Sequence, residues 1–100
     1  MDDPAVEFRV HAAQQMAKRG ISELEVREVL ETGDVIEEYP DDLPFPAQLV
    51  LGWLRLGRSL IPLHVVASFD TELNTIYVVT VYQPTRKAWN AGYRTRRKKR

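Results

Sequence analysis

Apolar positions near the start of the chain repeat with a helical period. The apolar residues between His11 and Arg19 share one side of a helix, and they are Ala12, Ala13, Met16 and Ala17. This spacing predicts an amphipathic helix with one buried stripe. Gly20 suits the left-handed position that ends a helix, and Ile21 supplies the apolar contact that usually follows it.

A second helix is predicted directly after this cap. Ser22 and Glu25 have the spacing of a capping box, in which each side chain bonds the other residue's backbone N–H. The buried face is marked by Val26, Val29 and Leu30, and Gly33 ends the helix. The two helices together predict a short helical hairpin.

Beyond Gly33 the pattern changes to strands. Four strands are predicted: Asp34–Tyr39, Ala47–Leu56, Leu60–Phe69 and Thr75–Gln83. A proline-rich loop follows the first strand, Gly57-Arg58 forms a tight turn, and residues 70–74 form the last turn. Strands joined by short turns are antiparallel neighbours, since parallel pairs need a longer crossover.

These elements predict an α+β domain in which an N-terminal two-helix hairpin packs on a four-stranded antiparallel sheet. The alternating segment at residues 6–10 is compatible with a short extended piece or with a first helical turn. A chain of 100 residues has apolar surface for one core only. We therefore expect a single domain over residues 1–90 and a basic C-terminal arm over residues 91–100.

Composition narrows the chemistry. The chain has no cysteine, which excludes disulfides, thiolate nucleophiles and sulfur-bound zinc. The acidic start does not resemble a secretory signal, and no apolar stretch approaches the ~20 residues that span a membrane. We expect a cytoplasmic protein that does not contact a membrane.

The formal net charge of zero conceals an uneven distribution. Residues 1–42 hold twelve of the fourteen acids, whereas residues 86–100 hold eight of the fourteen bases and no acid. A basic tail on an acidic body is suited to binding phosphates. A solvated, frayed terminus explains the same run of charge, and both interpretations stay open.

Two histidines, His11 and His64, are the candidates for moving a proton. A structural role is the more common one for a histidine in such a position, as a buried imidazole bonded to backbone or as a group at a helix end. Their spacing does not match a metal site, and no glycine-rich nucleotide loop follows a strand, so we expect neither metal nor cofactor.

The end of the fourth strand concentrates hydroxyls, cations and aromatic rings, a mixture that suits RNA. The alternative is that Tyr82 and Trp89 are core or interface aromatics. The candidate catalytic residues are His64, His11, Tyr82 and Arg86. The candidate nucleic-acid-binding residues are Arg19, Lys87, Trp89, Arg94, Arg96 and Arg97.

Several motifs together resemble domain-of-unknown-function family 4258. They are His11-Ala12, Met16, Arg19-Gly20-Ile21-Ser22, Val26, Gly33, Tyr39, Pro46-Ala47-Gln48-Leu49, Pro62-Leu63-His64-Val65-Val66, Thr80-Val81-Tyr82-Gln83-Pro84 and Trp89. The resemblance extends over residues 8–97. It carries no catalytic residues over to this chain.

Members of this family are similar in layout to the RelE and BrnT ribonuclease toxins of bacterial toxin–antitoxin pairs. The resemblance therefore implies a RelE-like fold, RNA as substrate and a small antitoxin protein as partner. The residues of the sequence fit metal-independent cleavage, in which a histidine moves a proton and arginines stabilise the phosphorane. The alternative function is a non-catalytic module that binds a protein or a nucleic acid.

Overall fold

A computed structural model describes residues 3–98 and places two helices on one face of a five-stranded sheet. The elements in chain order are β1 (Ala5–Phe8), α1 (Val10–Arg19), α2 (Glu23–Thr32), β2 (Asp34–Tyr39), β3 (Ala47–Leu56), β4 (Ser59–Asp70) and β5 (Thr75–Tyr82). The strand order across the sheet is β1-β5-β4-β3-β2. The last four strands are antiparallel to their sequence neighbours, as predicted.

The α+β class is confirmed, but the sheet is mixed and not purely antiparallel. Of the segment whose conformation was left open, residues 6–8 belong to β1 and Val10 begins α1. β1 pairs in parallel with β5 from Ala5 opposite Thr75 to Phe8 opposite Val78. A parallel partner cannot be joined by a tight turn, and here both helices and the strands β2, β3 and β4 separate β1 from β5 along the chain. The helices lie between β1 and β2 in the chain. The prediction that the helical hairpin is the N-terminal element is therefore wrong, because β1 precedes it.

Local signals in the sequence set the helix ends. The Ser22 hydroxyl accepts a hydrogen bond from the Glu25 backbone N–H at 3.1 Å, and the Glu25 carboxylate accepts one from the Ser22 N–H at 2.9 Å. The predicted capping box is confirmed. Gly20 ends α1 at φ 68°, a left-handed conformation that a residue with a Cβ adopts only at a cost.

The helices pack separately on the sheet, α1 over β5 and α2 over β3 and β4. The core between the two layers contains Ala12, Met16, Val26, Val29, Val50, Leu54, Leu63, Val65, Val78 and Val81. Gly52 lets α2 approach β3 closely, because a Cβ there would lie 2.6 Å from a methyl carbon of Val29. Each predicted stripe is buried at its centre against its own strands, through Ala12 and Met16 in α1 and through Val26 and Val29 in α2. Ala13 and Ala17, which were predicted to belong to the first stripe, are exposed.

The opposite face of the sheet, called the second face below, is partly covered by the chain's own end. Residues 84–98, the C-terminal segment, make a turn in which the Trp89 N–H donates to the Thr85 carbonyl at 3.0 Å. Trp89 then forms an isolated antiparallel bridge with Arg96. Residues 91–98 of the predicted arm belong to this segment. The last two residues of the arm, Lys99 and Arg100, lie outside the described residues.

Candidate functional site

His64 lies at the centre of the second face. Its neighbours in β4, Leu63 and Val65, point into the helix-side core, so the alternation of a strand turns His64 the other way. The side chain is fully buried, and both ring nitrogens have partners. Nε2 lies 2.9 Å from the Tyr93 carbonyl oxygen, and Nδ1 lies 3.0 Å from the Tyr82 hydroxyl. A carbonyl only accepts, so Nε2 carries the proton and Nδ1 accepts from Tyr82.

Trp89 covers this histidine. The two rings meet edge to face, with centroids 4.4 Å apart and planes 87° apart. The Arg96 guanidinium lies over the indole, 4.6 Å from its centroid. Only 3% of Trp89 is exposed, so its ring faces are not open to a stacking base in this structure. The ring instead fixes the C-terminal segment to the sheet.

Arg96 continues into an ion pair with β2. Its guanidinium donates to both carboxylate oxygens of Glu37, at 2.8 and 3.0 Å, and the Tyr39 hydroxyl also donates to Glu37. The hydrogen bonds from Arg96 lower the pKa of Glu37. Burial raises the pKa of Tyr39, and its bond to Glu37 adds to that shift. Glu37 is therefore charged at neutral pH and holds Arg96 in place.

Burial keeps the histidine and its tyrosine partner neutral. It lowers the pKa of His64, although the bond to the Tyr93 carbonyl opposes that effect. It also raises the pKa of Tyr82. Removing water disfavours the charged form of each group, so both protons stay where the hydrogen bonds place them.

The basic residues of the C-terminal segment divide into two groups. Arg96 is paired with Glu37, and Arg94 is paired with Asp34 at 2.8 Å on the surface. The other group consists of Arg86, Lys87, Arg97 and Lys98, all exposed. Within residues 3–98, none of these four is in an ion pair. Arg97 lies beside the turn, since its guanidinium donates to the Arg86 carbonyl at 2.9 Å.

The hairpin of β3 and β4 extends past the Tyr82 end of β5, which is the end of the sheet where the C-terminal segment begins. Its pairing continues to Leu56 opposite Ser59, whereas the pairing of β5 ends at Tyr82 opposite His64. Arg55 and Arg58 are exposed on this extension. Trp53 is 46% exposed and meets the Tyr93 ring edge to face, with centroids 6.0 Å apart. This end of the second face therefore carries both cations and an accessible ring.

The structure brings some of the predicted site residues together and separates others. His64, Tyr82, Trp89 and Arg96 form one contact cluster, and Arg86, Lys87, Arg94 and Arg97 lie in the segment that covers it. His11 and Arg19 belong to α1, which packs on the opposite face. The sheet therefore stands between the two histidines, and Arg19 is separated from the cations of the C-terminal segment.

Sequence reasoning missed Glu37, Tyr39 and Trp53. Alternation along β3 could have placed Trp53 and Arg55 on one face, because they are two residues apart. No comparable signal marked Glu37, since β2 has a bulge between Val35 and Glu37 that breaks the alternation.

The fold and the site define a small α+β domain whose second sheet face is partly covered by its own C-terminal segment. The chain belongs to the family described as Domain of unknown function (DUF4258), which it matches over residues 8–83. No curated protein and no solved structure matches it. The family match ends before Trp89, Tyr93 and Arg96, so the residues that close the site lie outside it. The likeness to RelE and BrnT stays a prediction.

Proposed function

We propose that this domain binds single-stranded RNA at the end of the second face where β3, β4 and the C-terminal segment meet. The observation that carries the proposal is the division of the basic residues. Arg94 and Arg96 are neutralised by acids of β2. Arg86, Lys87 and Arg97 are exposed on the same segment, and none of them forms an ion pair within residues 3–98. Unpaired cations on an ordered segment are suited to phosphate contacts.

Arg55 and Arg58 add to this positive surface. Both are exposed on the β3–β4 extension, and within the described ranges neither is in an ion pair. The surface is therefore formed by two separate parts of the chain on a rigid sheet. The backbone of such a site is already ordered, so the binding of a flexible polyanion has to order the cationic side chains and not the chain that carries them.

The test compares two charge-matched double variants in binding to a labelled single-stranded RNA. We expect Arg86→Gln with Lys87→Gln to weaken binding on the order of tenfold at low salt, because two phosphate contacts are lost. The control, Lys18→Gln with Arg19→Gln, removes the same charge from α1 on the opposite face. Equal losses in the two variants would contradict a localised site.

A second candidate function is metal-independent endoribonuclease activity, favoured by the contact between His64 and Tyr82. His64 cannot reach a substrate directly, because it is buried and both ring nitrogens are hydrogen-bonded. Tyr82 is only partly buried, and its hydroxyl donates to Nδ1 at 3.0 Å. A proton taken from an RNA 2′-hydroxyl by the Tyr82 oxygen would be matched by the Tyr82 proton passing to His64.

The cleavage test deletes the Tyr82 hydroxyl and, as a control, the hydroxyl of another tyrosine in β5. In the presence of a chelator, we expect Tyr82→Phe to lower RNA cleavage by about 10²- to 10⁴-fold. Tyr77→Phe removes the same atom from a tyrosine that stacks on Phe45, away from His64. If Tyr82→Phe cleaves RNA at the wild-type rate, the proton path through His64 is wrong. If the wild-type protein does not cleave RNA, binding alone is its function.

In a toxin–antitoxin pair, the partner would be a small protein that covers the cationic end and competes with RNA. Acidic groups on that partner would meet Arg86 and Lys87, as phosphates do. Such a pair acts on cytoplasmic RNA, and expression of this chain alone would then slow growth. Recovery of growth with Arg86→Gln and Lys87→Gln is the expected result, and unchanged inhibition would argue against RNA as the target.

A further inference from the structure

The two tryptophans of the chain have opposite environments. Trp89 is buried against His64, whereas Trp53 is 46% exposed on the β3–β4 extension. Trp53 lies on the second face, two residues beyond the buried Leu51 in the same strand. Leu60, on the adjacent strand, is also exposed there. A large aromatic ring in water on a rigid strand is a surface that another flat ring can cover.

Tyr93 holds the exposed ring from one side. The two rings meet with centroids 6.0 Å apart and planes 66° apart. Tyr93 has φ 60°, a left-handed conformation that costs a non-glycine residue about 1–2 kcal/mol. Two contacts keep it there, since its N–H donates to the Asn90 carbonyl at 2.9 Å and its carbonyl accepts from His64 Nε2.

The buried histidine therefore helps to fix the backbone from which the Tyr93 ring projects. Strained backbone persists where surrounding contacts fix it, and such residues are concentrated at binding sites. The chain of contacts runs from Tyr82 through His64 and the Tyr93 backbone to the exposed face of Trp53. The arrangement orders the ring before any ligand binds.

We propose that Trp53, braced by Tyr93, stacks on one unpaired nucleobase of an RNA strand whose phosphates contact Arg55 and Arg58. This inference rests on the proposed function and names the part of the RNA that the site recognises. Stacking on an aromatic ring beside cations is how proteins bind single strands without reading their sequence. His64 is then a positioning residue, because it acts through Tyr93 and not on the RNA.

The experiment compares two oligonucleotides with the same number of phosphates. One is a ten-residue oligouridylate and the other an abasic phosphodiester of equal length, both end-labelled for anisotropy. Stacking of one base corresponds to a preference of about 5- to 150-fold for the uridylate. Trp53 is the exposed one of two indoles, so the uridylate also changes intrinsic fluorescence and the abasic strand does not.

Three variants test the assignment. Trp53→Ala removes the preference for bases while leaving the charge-dependent binding that the abasic strand shows. Leu60→Ala is the matched control, since it deletes an exposed apolar neighbour on the same face and keeps the preference. Tyr93→Gly removes the bracing ring at a backbone position that suits glycine, so the domain stays folded and the preference falls part of the way.

The outcomes separate this inference from the function on which it rests. Equal, salt-sensitive binding of both strands would overturn base stacking and leave RNA binding in place. A preference that Trp53→Ala retains would also overturn it. Binding of neither strand would overturn both proposals.

Discussion

The main result at the scale of single residues concerns His64. Its ring is buried, neutral and bonded at both nitrogens, and it joins β5 to the C-terminal segment through Tyr82 and Tyr93. A fully satisfied imidazole in such a place contributes to stability, since removing one partner leaves a buried polar group without a hydrogen bond. Any chemistry that it performs must pass through Tyr82.

The lowered pKa of His64 predicts that stability rises with pH. The unfolded chain takes up a proton near pH 6.5, whereas the folded chain takes it up at lower pH. Between these pKa values the unfolded state binds more protons, so acid stabilises it relative to the fold. We expect the free energy of unfolding in urea to fall as pH drops below about 6.5, by about 1.4 kcal/mol for each unit between the two pKa values.

One variant and one direct measurement isolate this effect. His64→Gln removes that part of the dependence, and NMR titration of the wild-type ring gives the folded pKa directly if the variant does not fold. The lowered pKa of Glu37 acts in the same direction at pH below about 4.5, which separates the two effects. A His64 pKa above 6.5 would contradict the account.

Among the elements, the close packing of α2 on the sheet depends on two glycines. A Cβ on Gly52 would lie 2.6 Å from a methyl of Val29, and a Cβ on Gly33 would lie 2.5 Å from the Val29 carbonyl oxygen. The first contact is with the Val29 side chain, so a smaller residue at position 29 would relieve it. The second is with backbone and leaves no room for any other residue.

Gly52→Ala therefore destabilises the domain by about 1–3 kcal/mol, because the added methyl overpacks the helix–sheet contact. Combining it with Val29→Ala recovers part of the loss, so the two changes together cost less than their sum. Gly57→Ala is the control, since its Cβ meets nothing within 4 Å and its cost comes from φ 60° alone. Additive effects of Gly52→Ala and Val29→Ala would show that this contact does not limit packing.

At the scale of the molecule, the local part of the fold could be predicted from sequence and the long-range part could not. The capping box of Ser22 and the Gly20 cap depend on residues three or four apart, which a pattern shows. The parallel pairing of β1 with β5 depends on partners about seventy residues apart, such as Ala5 and Thr75. The contact of Arg96 with Glu37 spans 59 residues and carries no local signal.

For the candidate site, the sequence likewise predicted some of the residues but not the contacts between them. The sequence placed His64 and Tyr82 in neighbouring strands and pointed to the cations that follow. It could not show that Trp89 is buried under Arg96, nor that α1 places His11 across the sheet. Such facts follow from packing, which a single sequence does not specify residue by residue.

The proposed binding surface is also a property of the whole molecule. Acids of β2 neutralise Arg94 and Arg96, so the positive charge that remains is concentrated at one end of the second face. The formal charge of the chain is zero, so the attraction of a polyanion to this end depends on how the charge is distributed and not on its sum. The attraction must weaken as salt screens it.

The salt dependence of RNA binding measures how many of these cations contact phosphates. If the exposed cations of this surface each contact a phosphate (Arg55, Arg58, Arg86, Lys87 and Arg97), log K against log salt for a single-stranded RNA has a slope of about −3.5. The Arg86→Gln and Lys87→Gln double variant reduces it to about −2.1, and the Lys18→Gln and Arg19→Gln control leaves it unchanged. A slope near zero for the wild-type protein, or equal slopes for both double variants, would contradict the account.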